Sequence, residues 1–130
     1  MSFKCVIVTP ESQVMDETVT QVIIPAHDGL VGIETNRAPL LVKLGIGPLR
    51  VDLASGHRHF LIEGGVAQMK DNLLTILTQK CVPASEIDAQ SAKAELAEAT
   101  ARRITDEKSF QERQDAIKRS MVKQELVGKS

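Results

Sequence analysis

Along residues 1–83 the apolar positions follow the short period of β-strands, and after Pro83 they thin out to the longer period of helices. Residues 3–9 (F-K-C-V-I-V-T) are rich in β-branched side chains and stop at Pro10, as a strand does. Residues 11–17 are short and polar and suit an edge strand or a turn. Residues 18–24 alternate, with Val19, Gln21 and Ile23 on one face and Thr18, Thr20, Val22 and Ile24 on the other, until Pro25 ends the run. His27-Asp28-Gly29 is a turn signal before the apolar run 30–33. Further strands are expected at 38–42, 49–54, 57–62, 66–69 and 73–81, separated by Gly45, Gly47 and Pro48, by Ser55-Gly56, by Gly64-Gly65 and by Asp71-Asn72. Gly64-Gly65 marks a bulge or a close approach of another backbone. About ten short strands at this spacing predict a flattened β-sandwich or a barrel, and without strand–helix alternation a doubly wound nucleotide fold is excluded.

The rest of the chain differs in kind. All five prolines, and every glycine except Gly128, lie at or before Pro83. Glycine and proline are the strongest interrupters of helix, so residues 84–127 are free to be helical. Ser85 and Ser109 each stand three residues before a carboxylate, which predicts two capped helices. Thr105-Asp106-Glu107-Lys108 has no apolar residue and makes the turn between them. Ala89, Ala92, Leu96 and Ala99 form one stripe on the first helix, and Ala94, Ala97 and Ala101 a second, for close packing on both a partner helix and the sandwich. Phe110, Ile117 and Met121, with Val122 and Leu126 beside them, form the facing seam. Neither helix has a wide apolar face, so the hairpin is expected to dock weakly. The chain thus reads as an α+β protein in two parts: a β-sandwich at 1–83 and an antiparallel two-helix hairpin at 84–130.

The totals narrow the chemistry. A formal net charge of −1 supplies no basic field for nucleic acid, and three Phe with no Tyr or Trp supply no stacking platform. Cys5 and Cys81 are too few for a disulfide framework and read as buried strand thiols, in keeping with a reducing, cytoplasmic setting and no leader or membrane-spanning run. No phosphate loop, nucleophile elbow or His-Glu-x-x-His is present. His57 and His59 share a strand face but lack further metal ligands, and His27 beside Asp28 reads as a turn residue. An enzyme is therefore not expected, nor a cofactor or a metal. Interaction is.

One segment carries a resemblance. Gly29-Leu30-Val31-Gly32-Ile33, a three-residue spacer and Arg37-Ala38-Pro39-Leu40 are similar to the signature of the ε subunits of rotary F-type ATP synthases, roughly G-x-L/I-G-I-x-x-x-H-A-P-L. Phe60-Leu61-Ile62-Glu63-Gly64-Gly65-Val66 and Asn72-Leu73-Leu74-Thr75-Ile76-Leu77 resemble two further strands of that family, and the β-then-two-helices layout matches as well. Arg37 departs from the histidine found in many members.

The resemblance implies a non-catalytic central-stalk subunit that couples the catalytic head to the c ring during proton-driven ATP synthesis. It places Ala26, His27, Asp28, Gly29, Leu30 and Val31 against the c ring, and Arg37, Ala38, Pro39 and Val42 against the γ subunit. Arg113, Lys118, Arg119 and Lys123 make the second helix basic, partly as the usual cation bias of a helix C-terminus. The resemblance adds a role for them: contact with an acidic segment of the catalytic β subunit when the hairpin extends, inhibiting ATP hydrolysis. Some relatives bind ATP at a motif I/L-D-x-x-R-A. Ile87, Asp88 and Ala92 match it, but Ser91 replaces the arginine, so ATP binding is expected to be weak or absent. Asp88 is then a first-turn carboxylate completing the Ser85 cap. The implied location is peripheral, on the cytoplasmic face of the bacterial inner membrane or the stromal side of a plastid thylakoid. The competing reading is a free-standing nucleotide sensor, a β-sandwich with a movable hairpin, and Ser91 counts against it.

Overall fold

A computed structural model describes residues 1–129; Ser130, the last residue of the expected hairpin segment, lies outside the described residues. Eight strands come first: β1 Phe3–Val8, β2 Gln13–Val19, β3 Gln21–Ala26, β4 Gly29–Glu34, β5 Leu40–Leu53, β6 Gly56–Lys70, β7 Leu73–Leu77 and β8 Cys81–Pro83. A 3₁₀ turn at Ala84–Glu86 leads to α1 (Ala89–Ala101) and α2 (Glu107–Leu126). The strands pair in the order β2-β1-β7-β6-β5-β3-β4, with β8 added to β6.

This sheet folds over on itself to make the two layers of a sandwich. β1 and β3 stand far apart in the strand order, yet Cys5 and Ile7 share one buried cluster with Val22 and Ile24. Only a folded sheet brings them together. The fold runs through β5 and β6, which are 14 and 15 residues long and belong to both layers. β6 takes β8 at Phe60–Ile62 and β7 further on, at Val66–Lys70.

The expected ten strands become eight because the glycines at 45, 47, 64 and 65 bend these two strands without ending them. The β5–β6 ladder passes from Leu44↔Gly65 to Ile46↔Glu63 across the bend. Gly65 sits at φ +114°, and a Cβ there would lie 2.0 Å from the Leu77 carbonyl oxygen. The glycine pair is therefore the expected close backbone approach. Two other strands break where unbroken runs are expected. At Thr20, between β2 and β3, both N and Oγ1 donate to the Asp52 carbonyl at 2.8 and 3.1 Å. At Thr78, between β7 and β8, the buried hydroxyl donates to the Gly64 carbonyl at 2.7 Å.

The helix starts also differ from expectation. Asp88, not Ser85, caps α1: its carboxylate accepts from the Ser91 N–H at 3.2 Å, while Ser85 lies in the 3₁₀ turn. Asp106 caps α2, and Ser109 is its reciprocal third residue, accepting from the Asp106 N–H at 3.0 Å. An aspartate reaches the exposed N–H groups as well as serine does and adds charge at the positive end of the helix.

α1 packs on α2, and α2 packs on β5 and β6. Ala92 and Ala99 of α1 are buried, but Ala94, Ala97 and Ala101 face outward, so the expected second packing face does not form. On α2 the buried face is Ala116, Ser120, Val122 and Leu126. Phe110 and Met121, expected in the seam, are 44% and 57% exposed, and Ile117 is half-buried. The docking contact is instead a small cluster of Leu61, Ala84, Val122 and Leu126, flanked by Ile46, Val82 and Ile87.

Candidate functional site

Three exposed surfaces make up the candidate site. The first is the β3–β4 tip. Ala26 pairs with Gly29, leaving His27-Asp28 as a two-residue turn held by a His27 N–H bond to the Lys43 carbonyl at 2.8 Å. His27, Asp28, Gly29 and Leu30 project, with Leu30 62% exposed. Ala26 is buried and Val31 packs against the core, because strand alternation turns them inward. Four of the six residues expected at this surface are thus exposed, with Val31 half-buried and Ala26 buried.

The second surface is the loop before β5 and the sheet face beside it. Arg37, Ala38 and Pro39 are exposed. A clasp holds this loop to the β6–β7 turn: Asn36 N–H donates to Asn72 Oδ1 at 2.7 Å, and Asn72 Nδ2 donates to Asn36 Oδ1 at 3.0 Å. Both asparagines sit at positive φ, which their short polar side chains tolerate. Val42 is half-buried and packs against the core, and its neighbour Leu41 is the exposed one, at 71%. Leu41 belongs to a wider outer face. Register places it in line with Gln68, Thr75 and Val6, and places Val66 in line with Leu77 and Val8. Exposed Leu41, Val66, Leu73 and Leu77 make this face unusually apolar. The signal for it lay in the period of two, which puts Leu41 on the side opposite Val42.

The third surface is α2. Of its four candidate cations, Lys118 is exposed. Arg119 and Lys123 are engaged within the chain. Arg119 Nε donates to Glu63 Oε1 of β6 at 2.6 Å, and Lys123 Nζ lies 3.0 Å from Glu95 Oε2 of α1. Arg113 donates to the Thr100 carbonyl at 3.1 Å. The expected open basic face is thus largely turned inward in this docked arrangement. Glu63 lies within the family-like segment 60–66 and Glu95 within the first helix, but neither position signals the cation that it holds.

At the degenerate motif, Ile87, Asp88, Ser91 and Ala92 line a small cavity together with Glu86, Glu95 and Lys123. The Ser91 hydroxyl is taken up by the Asp88 carboxylate at 2.8 Å, and the Lys123 charge is met by Glu95. Acidic neighbours and a spent hydroxyl do not suit a phosphate group. Among the described residues, no three His, Cys, Asp or Glu side chains are grouped to hold a metal. His57 is placed by Asp52 instead, Nδ1 to Oδ1 at 2.8 Å. Burial pushes the Cys5 thiol up to about 12, helped by the nearby Cys81, and pushes Cys81 up to about 11; Cys5 is buried as expected, whereas Cys81 is only half-buried. No helix of the described residues is long and apolar enough to cross a membrane.

Residues 2–84 match the family described as "ATP synthase, Delta/Epsilon chain, beta-sandwich domain". The ATP synthase epsilon chain of Rhodopirellula baltica is 38% identical over 99 residues, covering 76% of this chain and 77% of the relative. The chloroplastic ATP synthase epsilon chain of Cyanidioschyzon merolae is 40% identical over 96 residues, covering 74% and 73%. A chain in the cryo-EM structure of the Euglena gracilis mitochondrial ATP synthase superposes with a TM-score of 0.84 at 23% identity, covering 92% of this chain and 78% of its own. That superposition includes most of the helical part and supports the two-part fold.

Proposed function

This chain belongs to the ATP synthase epsilon-chain family, and we propose that it is the non-catalytic central-stalk subunit that ties γ to the c ring. The segment from Gly29 to Leu40 carries the reading. It is the stretch most similar to the family signature, and although Ile33 within it is core, it also forms part of the projecting β3–β4 tip and the clasped Arg37–Pro39 loop. A signature spent on exposed backbone points to binding. The tip at His27–Leu30 faces the ring. The loop at Arg37–Pro39 and the outer face with Leu41, Val66 and Leu77 face γ, where burial of apolar area drives attachment.

Residues 84–130 are the regulatory part. When the hairpin leaves the sandwich, Arg113, Lys118, Arg119 and Lys123 become available to an acidic segment of the catalytic β subunit and retard ATP hydrolysis. Because Ser91 and Glu95 leave no phosphate cradle, the hairpin answers to charge rather than to nucleotide. The subunit sits on the cytoplasmic face of a bacterial inner membrane, held there through its partners.

Purification of the tagged chain from its own membranes tests the assignment. γ and the catalytic hexamer should come with it in fixed proportion; recovery of the chain without ATPase subunits would refute the reading.

A further inference from the structure

The hairpin is fastened by two ion pairs that do different jobs. Arg119–Glu63 joins α2 to β6, whereas Lys123–Glu95 joins α2 to α1. The rest of the attachment is narrow. Leu61, Ala84, Val122 and Leu126 form its buried part, all of it against the last turns of α2. On α1, Ala94, Ala97 and Ala101 face outward and are exposed. Arg119 and Glu63 are the better shielded pair: their side chains are 31% and 15% exposed, so water screens their attraction less than it screens a surface pair. The second Glu63 oxygen, Oε2, is buried with no hydrogen-bond partner in this arrangement. A carboxylate so enclosed depends on its one guanidinium partner.

We infer that Glu63–Arg119 is an electrostatic latch setting how often the hairpin leaves the sandwich, while Glu95–Lys123 keeps the two helices together as they leave. The inference deepens the regulatory reading above and rests on it for its biological meaning, though not for its physics. Arg119 cannot serve Glu63 and an outside carboxylate at once, so any acidic partner segment competes with Glu63 for the same guanidinium. Release then rises with ionic strength, since Coulomb attraction is screened while the Leu61–Leu126 cluster is not. Breaking the two pairs has distinguishable results. Loss of Glu63 undocks an intact hairpin, and loss of Glu95 loosens α1 while α2 stays seated.

Hydrogen exchange on the full-length free chain tests this at low and high salt, with amides of α1, α2 and the strands followed separately. In Glu63→Gln, exchange over Ala116–Leu126 should rise about tenfold at low salt, and its salt dependence should fall well below that of the native chain. In Glu95→Gln, only α1 should lose protection. Should Glu63→Gln fold poorly, the charge-swapped E63R/R119E chain should recover native protection and its salt dependence. Protection in Glu63→Gln within twofold of native at low salt, or a swap that restores nothing, would overturn the latch. The braking role is read separately, from hydrolysis by the assembled enzyme. Lost protection with unchanged hydrolysis would refute the brake and leave the latch standing; unchanged protection would refute the latch alone.

Discussion

Leu126, at the last turn of α2, and Leu61, on β6, are both fully buried and share the small cluster that seats the hairpin on the sandwich. The sandwich has its own core, built from β1 to β7 and separate from this cluster. The two parts are therefore joined by a contact distinct from the sandwich core.

Leu126→Ala should undock the hairpin and spare the sandwich. Truncating a buried leucine costs about 2–5 kcal/mol where the site cannot collapse, and Leu126 is one of four buried residues in this docking cluster. Hydrogen exchange should show α2 losing its protection while strand amides are unchanged. Parallel loss in β5 and β6 would mean that the two parts fold as one.

Gly65→Ala should be among the most damaging single changes. The added methyl meets backbone at Leu77, which no rotamer can relieve, and the φ of +114° disfavours any side chain. A loss of more than about 3 kcal/mol is expected in denaturant unfolding. A loss below 1 kcal/mol would mean that the β6–β7 approach is looser than described.

Both thiols should react slowly in the native protein. Burial raises Cys5 and Cys81 well above pH 8, so thiolate is scarce at both, and access is poor at buried Cys5 though less so at half-buried Cys81. A disulfide-exchange reagent at pH 8 should label neither within the unfolding time and both in denaturant. Rapid labelling of the native chain would contradict the burial.

Acid should fray the helix starts before it melts the sandwich. Hydrogen bonds from Ser91, its hydroxyl and then its N–H, hold the Asp88 carboxyl below its ordinary value; the Ser109 N–H does the same for Asp106. A depressed native value gives a stabilisation that is present above the unfolded value and lost as pH falls through the native one. Helical circular dichroism should therefore decline below about pH 4, and less steeply in the Asp88→Asn, Asp106→Asn double variant, whose caps carry no charge to lose. An equal decline in both would place the acid sensitivity elsewhere.

Titration calorimetry of the free chain with ATP should give no binding heat. A micromolar dissociation constant would show that the Ser91 site accepts phosphate despite Glu86 and Glu95.

The two-part fold was legible because its signals are local: proline and glycine stop at Pro83, and alternation gives way to helical spacing. Strand count was less legible, since a glycine that bends a strand and one that ends it look alike until Leu77 or Glu63 is opposite. Ser85 and Ser109 were sound helix-start signals, but Asp88 and Asp106 sat within a turn of them and made the cap bonds. Local spacing also could not tell Leu41 from Val42, because which face is inside is decided by pairing with Gln68 and Ala67. Glu63 and Glu95 were invisible for a related reason: their partners lie 56 and 28 residues away.

Attachment to the rotor through the outer face can be read from coupling in a reconstituted enzyme. Membranes stripped of this subunit should regain proton-driven ATP synthesis when the full chain is added back. Leu41→Glu, which alters a side chain 71% exposed, should fold normally yet require about tenfold more protein for the same recovery. Failure of the native chain to restore synthesis, with no binding to γ, would rule out attachment through this face.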